Sequence, residues 1–417
     1  MNGHADTTDD VVGWRDKSFP SVAGVTVDTI ADQQWNLLNG DFAFPVLALR
    51  RSALEHNLAV MAAFCRDEGV ELAPHGKTHM SPQLWDRQRA SGATAVTVAH
   101  VSQARVFAET GATAILIANE VIDLHDLAWI QRTRAAGVVI TIVIDSFTGI
   151  AVAEAAVAAD PEAGPIDVLI ELGYPGGRAG VRSASHALAL ARSAHASPGV
   201  TLRGVEGFEG VMPGEDEEIR REAVRRYLDG AVSTLAAFVR DGLVTESPIA
   251  SFGGSMYPDL VVDALRMSSE VRGLPLRILL RSGCYLTHDH GLYAGTTADL
   301  NGATLEPALE LWARVLSRPE PKLAILGAGK RDAPHDSGFP VALRRRVDGV
   351  ESPLTGVRVT GMNDQHLYAA LDRAEALDVG DLVCLGISHP CTAFDKWRLI
   401  PEVDDHYLVV GAIRTYF

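Results

Sequence analysis

Long apolar runs are missing from this sequence, and none approaches the roughly 20 residues that a membrane-spanning helix needs, so no membrane partner is expected. A basic excess is missing as well. With 37 Lys and Arg against 53 Asp and Glu, the formal charge is −16, which argues against nucleic acid, because a polyanion demands a broad basic face. One locally basic pocket is still compatible with that total. Cysteine is scarce: Cys65, Cys284, Cys384 and Cys391 are the four in 417 residues, and their spacing makes no disulfide framework. This usage fits a reducing compartment, so a cytoplasmic setting is expected. Residues 1–10 are polar and acidic, with no basic start before an apolar stretch, and no secretory signal is expected there. Internal repeats and low-complexity tracts are also missing.

What is present is ordinary globular material, 47% apolar and 22% charged, in a chain long enough for two or three domains. From residue 44 to about 300, short β-branched runs alternate with longer Ala- and Leu-rich amphipathic stretches. The runs are Val46–Arg50, Val70–Pro74, Ala95–Ala99, Ala114–Ala118, Val139–Asp145, Ile166–Leu172, Leu202–Gly207, Pro248–Phe252 and Leu276–Arg281. Helical patterns lie between them, among them Ser52–Glu68, Ser81–Ala90, Ser102–Thr110, Ser146–Ala159, Ser183–Ala194 and Glu215–Arg240. Several open on Ser, a helix N-cap residue. Such alternation predicts parallel strands with right-handed crossovers, and a (β/α)8 barrel is preferred to an open doubly wound sheet. Nine runs are one too many, so one is expected at the domain junction. Residues 301–417 read as a mainly β domain, with a single helical pattern near Gln365–Ala376. Residues 1–43 are a leading segment that either domain could take, the β domain being preferred.

Functional groups of such a barrel gather at the C-terminal ends of its strands. The run ending in Pro74 leads straight into His75-Gly76-Lys77-Thr78-His79. A lysine at a barrel mouth loses proton affinity through burial and becomes a nucleophile toward an aldehyde; the plainer alternative is a surface lysine in a loop. Two further run ends lead into Gly253-Gly254-Ser255 and Arg281-Ser282-Gly283-Cys284-Tyr285. Glycines and hydroxyls there make an anion nest, although glycine after a strand is more often only a turn. Arg178, after another run, could reach the same ligand or form a surface ion pair. In Ser388-His389-Pro390-Cys391, imidazole and thiol fall on one side of an extended segment and suit zinc. Two ligands leave positions open, as catalysis requires.

Taken together and in this order, Pro74 to His79, Gly253-Gly254-Ser255, Arg281 to Tyr285, Asn363-Asp364-Gln365-His366 and Ser388 to Cys391 resemble the D-serine dehydratase and D-threonine aldolase family. The resemblance implies an alanine-racemase-like barrel with a C-terminal β domain, working as a homodimer. It implies that Lys77 condenses with pyridoxal phosphate, that Ser251, Gly253, Gly254, Ser255, Gly283, Cys284 and Tyr285 surround its phosphate, and that Arg178 faces the pyridine nitrogen. His389 and Cys391 would hold Zn2+ or another divalent metal. Aldolase members tend to carry His-x-Asp at the metal pair and Tyr-His where this chain has Phe208-Glu209. The His-x-Cys pair and the missing base point to a dehydratase that turns a small D-amino acid such as D-serine into a 2-oxo acid and ammonia. Within the family, the bacterial amino acid deaminases are most similar. A D-threonine-type aldolase is the alternative, a racemase comes third, and a non-catalytic pyridoxal phosphate carrier is the reading from another class.

Overall fold

In the computed structural model, residues 11–244, 246–295 and 298–417 are described; the acidic N-terminal ten residues lie outside that range. The first strand, β1 (Val46–Arg50), leads into α1 (Arg51–Glu68). There follow β2 (Glu71–Leu72), α2 (Pro82–Ala90), β3 (Val96–Val98), α3 (Val101–Glu109), β4 (Ala114–Glu120) and α4 (Leu124–Ala135). Next come β5 (Val139–Ile144), α5 (Phe147–Ala159), β6 (Ile166–Leu172), α6 (Ala184–Ala196), β7 (Val200–Gly207), α7 (Glu217–Arg240), β8 (Ile249–Phe252), α8 (Pro258–Met267) and β9 (Arg277–Leu280). Strands β2 to β9 form one eight-stranded sheet in the order 2-9-8-7-6-5-4-3, with every pairing parallel. Just past β2 the sheet curls shut: Thr97 N donates to Pro74 O at 3.0 Å, and His75 bridges Thr97 in parallel register. The barrel expected from the alternating runs is therefore present. Its interior is a small apolar set, Ala73, Leu116, Val143, Leu169, Ile249 and Leu279, supplied by alternate positions because strand side chains point to opposite faces.

The surplus ninth run is Val46–Arg50. β1 pairs antiparallel with Leu309–Glu320 (β10), with Val46 opposite Trp312, and so belongs to the second domain. That domain continues with β11 (Leu323–Leu326), β12 (Val341–Val347), β13 (Val350–Pro353), β14 (Val357–Met362), β15 (Leu367–Leu371), β16 (Leu382–Gly386), α9 (Cys391–Phe394), β17 (Leu399–Val403) and β18 (Val409–Arg414). They make a ten-stranded sheet with β1 at its centre, between β10 and β17. Residues 11–43 cover one face of it: Val12, Phe19, Ile30, Leu37 and Phe42 pack against Val46, Ala48, Trp312 and Val409. The helix expected near Gln365–Ala376 is instead β15 followed by a 3-10 turn at Ala374–Ala376. Leu367, Ala369 and Leu371 are buried, and a spacing of four suits one strand face as well as one helix face.

Serine capping is partly as expected. Ser146 Oγ accepts from Gly149 N at 3.1 Å and Ser183 Oγ from His186 N at 3.2 Å. Ser81 holds the N-cap position without a side-chain cap bond. Ser52 and Ser102 fall inside their helices, which start at Arg51 and Val101.

A buried carboxylate ties the two domains together. Glu402 on β17 is 1% exposed and takes Arg51 Nε at 2.9 Å and Arg87 Nη1 at 2.5 Å from the barrel side. The two guanidiniums draw its pKa down against the opposing effect of burial. Removing it leaves two half-buried cations facing each other without a counter-charge. Glu402→Ala is expected to lower stability by about 2–3 kcal/mol, seen as a lower midpoint in thermal unfolding; an unchanged midpoint would contradict the pairing.

Candidate active site

The residues after β2 wind into a 3-10 turn, Gly76–Thr78, that carries Lys77 at the barrel mouth. Only glycine fits at position 76, because a Cβ there would lie 2.6 Å from the Phe107 ring and 2.8 Å from Val96. The turn is therefore pressed against the barrel wall, and Lys77 lines a cleft of about 260 Å³. His75, Glu171, Arg178, Phe208, Gly254 and Arg281 share that cleft. Burial, together with Arg178 and Arg281, draws the Lys77 pKa below the usual lysine value, against the raising effect of Cys391. A lysine that sheds its proton more readily is a better nucleophile.

Behind the turn the polar groups are satisfied internally. His79 Nδ1 accepts from Ser81 N at 3.0 Å, which leaves Nε2–H to donate to Gln88 Oε1 at 3.2 Å. Gln88 Nε2 donates to the Tyr285 hydroxyl at 3.3 Å. The His79 ring also packs edge-on against Phe107 and Phe394. His79 is thus scaffolding. Tyr285 closes the same chain with its hydroxyl turned inward, away from the nest to which sequence reasoning assigned it. His75 differs: burial holds it neutral, its pKa well below the usual value, and among the described residues its Nδ1 has no hydrogen-bond partner.

The expected anion nest is partly realised. Ser255 Oγ accepts from Gly283 N at 3.2 Å and Cys284 N at 3.0 Å, so two amides and a hydroxyl converge beside the cleft. The amides of Gly253 and Gly254 are already taken by the buried carboxylate of Glu209, at 3.2 and 2.6 Å. Ser251 is directed elsewhere, its hydroxyl donating to Leu279 O at 3.2 Å inside the barrel. Of the Phe208-Glu209 pair, Phe208 lines the cleft with the Arg178 guanidinium 4.4 Å over its ring, whereas Glu209 is fully buried. The Asn363–His366 segment forms the exposed β14–β15 turn, with Asn363 N donating to His366 O at 2.8 Å, and does not line this cleft. Trp397 is a packing residue, its Nε1–H donating to Asp332 O at 2.9 Å.

The metal-type donors lie against the lysine turn. β16 ends at Gly386, and the chain then runs through Ser388 and His389 into α9, which packs on the turn carrying Lys77. Gly291 permits this approach, since a Cβ there would meet the Ser388 backbone at 2.7 Å. Cys391 Sγ is hydrogen-bonded to Thr78 Oγ1 at 3.4 Å and lies 3.4 Å from Cys284 Sγ. His389, Cys391 and Cys284 together bring three donor atoms within 4.8 Å of one another. His389 Nδ1 bonds Asp336 Oδ2 at 2.6 Å, and Thr392 Oγ1–H donates to Asp336 Oδ1 at 2.7 Å. Hydrogen bonds from Cys284, His389 and Thr78 push the Cys391 pKa well below the usual thiol value in spite of burial. Burial works against a charged His389, yet Cys391 and Asp336 raise it to about 9. The pair is thus biased toward a thiolate beside an imidazolium, and a cation can take the place of the imidazolium proton. Asp336 was not found from sequence; it lies 53 residues from His389 in a loop.

A carboxyl cluster completes the mouth, also unforeseen. Arg281 pairs with Glu206 and donates to Gly207 O at 2.6 Å. Burial outweighs that pairing and raises the Glu206 pKa. Burial, Glu206 and a hydrogen bond with Glu120 raise Glu171 to about 9.

The putative serine dehydratase domain family matches residues 308–403, and the alanine racemase N-terminal domain family matches residues 49–255. The D-threonine aldolase of Arthrobacter sp is 30% identical over 361 residues, 84% of this chain and 86% of that one. The D-threo-3-hydroxyaspartate dehydratase of Delftia sp. (strain HT23) is 29% identical over 392 residues, 91% of this chain and 94% of that one.

The chain belongs to the D-serine dehydratase and D-threonine aldolase family.

It is accordingly a pyridoxal phosphate-dependent lyase with an alanine-racemase-like fold. The solved D-threonine aldolase of Filomicrobium marinum superposes with a TM-score of 0.76 at 28% identity, covering 90% of this chain and 95% of that one. For a family member, the Ser255 hydroxyl, with the Gly283 and Cys284 amides that now donate to it, fits a phosphate, the cleft at Lys77 fits a planar ring, and the thiol and imidazole donors fit a soft divalent cation.

The raised Glu171 has a consequence for stability. A carboxyl with a higher pKa in the folded than in the unfolded state makes the native protein bind more protons, so stability falls as pH rises between about 4.5 and 9. Glu171→Gln removes that titration. Relative to the wild type, the variant is expected to gain stability at pH 8.5 over pH 5.5 in thermal melts; the same difference at both pH values would contradict a protonated Glu171.

Proposed function

We propose that this lyase catalyses metal-assisted β-elimination of a small D-β-hydroxy amino acid, with D-serine as the simplest case, giving a 2-oxo acid and ammonia. One observation carries the choice of elimination: the Lys77 cleft sets an amine base beside a neutral acid, Glu171, with no effective second base among the described residues that line it. Burial lowers the Lys77 pKa and so makes its amine more available as a base. Glu171, raised to about 9, is a neutral acid in the same cleft. Phe208 does not titrate, Glu209 is held by the Gly253 and Gly254 amides, and burial makes His75 a weak base. Retro-aldol cleavage needs a base for the β-hydroxyl proton; elimination needs that oxygen to leave.

Lys77 would hold pyridoxal phosphate, with Ser255, Gly283 and Cys284 at its phosphate and Arg178 at its ring, and His389 and Cys391 would hold the metal, zinc being favoured by these donors. When bound, the cofactor supplies an electron sink at the α-carbon and the metal a Lewis acid for the departing hydroxyl. The Lys77 amine takes the α-proton, and Asp336 holds the His389 ring in orientation. Arg178 and Arg281 give the cleft a positive field that attracts the substrate carboxylate, even though the whole chain is acidic. The Delftia dehydratase has itself been solved as a cysteine-to-alanine variant in a metal-free form. A homodimer and a cytoplasmic setting belong to this proposal; the four free thiols favour the latter.

A second reading, retro-aldol cleavage, is favoured by the likeness to the Arthrobacter D-threonine aldolase. The protein loaded with pyridoxal phosphate and zinc, given D-serine, D-threonine and D-3-hydroxyaspartate, is expected to release ammonia and a 2-oxo acid. Glycine and an aldehyde would instead establish the aldolase. Lys77→Ala should cost about a thousandfold or more in turnover and remove the visible absorbance of the lysine-bound cofactor. A chelator should abolish turnover and zinc should restore it, whereas full activity in metal-free protein would refute the metal's part.

A further inference from the structure

We propose that Cys284 is a third protein ligand of the metal, making a Cys2His site with one open position. The inference rests on the reading that a divalent metal sits at His389 and Cys391, and it concerns a residue that sequence reasoning assigned to the phosphate alone. The three donors come from both domains: Cys284 from the barrel segment after β9, His389 and Cys391 from the stretch between β16 and β17. Their donor atoms lie within 4.8 Å of one another. The two sulfurs are 3.4 Å apart, far beyond the bond of about 2.05 Å that a disulfide requires, and both cysteines are free. Two thiolates each about 2.3 Å from a tetrahedral zinc stand about 3.8 Å apart, so the cluster needs to open by only a few tenths of an ångström. Asp336 occupies His389 Nδ1, which leaves Nε2 as the free donor.

Coordination takes the Cys284 thiol proton and the His389 Nε2 proton into solvent, so that two thiolates and a neutral imidazole balance a divalent cation. Soft donors in that number favour zinc over magnesium and manganese. Three protein ligands leave the fourth position for substrate oxygen, the pattern of catalytic zinc sites. The same residue donates its backbone N–H to Ser255 Oγ at 3.0 Å. Cys284 therefore joins the metal to the anion nest, thiol on one side and amide on the other, and pins the barrel to the β domain at the lysine.

The test is X-ray absorption at the zinc edge on the full-length protein loaded with zinc and pyridoxal phosphate, alongside zinc affinity by chelator competition. Two sulfurs and an imidazole nitrogen are expected in the wild type. Cys284→Ser should keep one sulfur and bind zinc at least tenfold more weakly, with magnesium a relatively better competitor than for the wild type. One sulfur in the wild type, or Cys284→Ser binding zinc as tightly as the wild type while Cys391→Ser loses it, would overturn the third ligand and leave the His389–Cys391 metal intact. A wild type that takes up no zinc would overturn both. Should Cys284→Ser fail to fold, the sulfur count in the wild type decides alone.

Discussion

The seam between barrel and β domain, where Cys391 meets Cys284 and Thr78 at 3.4 Å, is the constraint on which the site depends. Lys77 is one residue from Thr78, so any displacement of the β domain also displaces the lysine from its thiol and imidazole neighbours. That explains why the chain begins the β domain before the barrel. β1 sits in the middle of the second sheet, so the barrel is inserted between two parts of one domain and held by both. Glu402, buried between Arg51 and Arg87, strengthens the same seam on another face.

Electrostatics at the mouth follow from crowding charges where little water reaches. Three cationic side chains, Lys77, Arg178 and Arg281, meet Glu171 and Glu206, and Glu120 is hydrogen-bonded to Glu171. The low dielectric penalises every unpaired charge, and the groups respond in opposite directions: the lysine loses its proton more easily, and the carboxyls hold theirs more tightly. A weakened ammonium beside a neutral carboxylic acid is a base and an acid in one cleft, which is the pairing that removal of an α-proton and loss of a hydroxyl require. At the seam, Cys391 and His389 are biased toward opposite charges, and a cation can take the place of the His389 proton.

Much of this was legible in sequence where the signal is local. The strand-to-turn passage at Pro74–His79 marked Lys77, and His389-x-Cys391 marked the metal pair, because both are short motifs whose chemistry needs adjacent residues. The family resemblance then joined segments more than 300 residues apart. What was not legible depends on direction or distant pairing. Val46–Arg50 reads like a barrel strand, and only its partners near Trp312 and Glu402 place it elsewhere. Ser251 lies on a strand next to the nest but faces the barrel interior. Glu209 stands where aldolase members tend to carry a base, and its place, on the Gly253 and Gly254 amides, depends on how two loops pack. Leu367–Leu371 fits a helix face and a strand face equally, so pairing with β11 and β14 decides. Asp336 carries no motif, and only folding brings it to His389.

The central claim is that the Lys77 amine is the group that captures the aldehyde cofactor. Borohydride reduction of the pyridoxal phosphate-loaded protein, followed by peptide mass spectrometry, reads this directly. The account predicts a single pyridoxyl modification, on Lys77. Modification of another lysine, with Lys77 unlabelled, would contradict it.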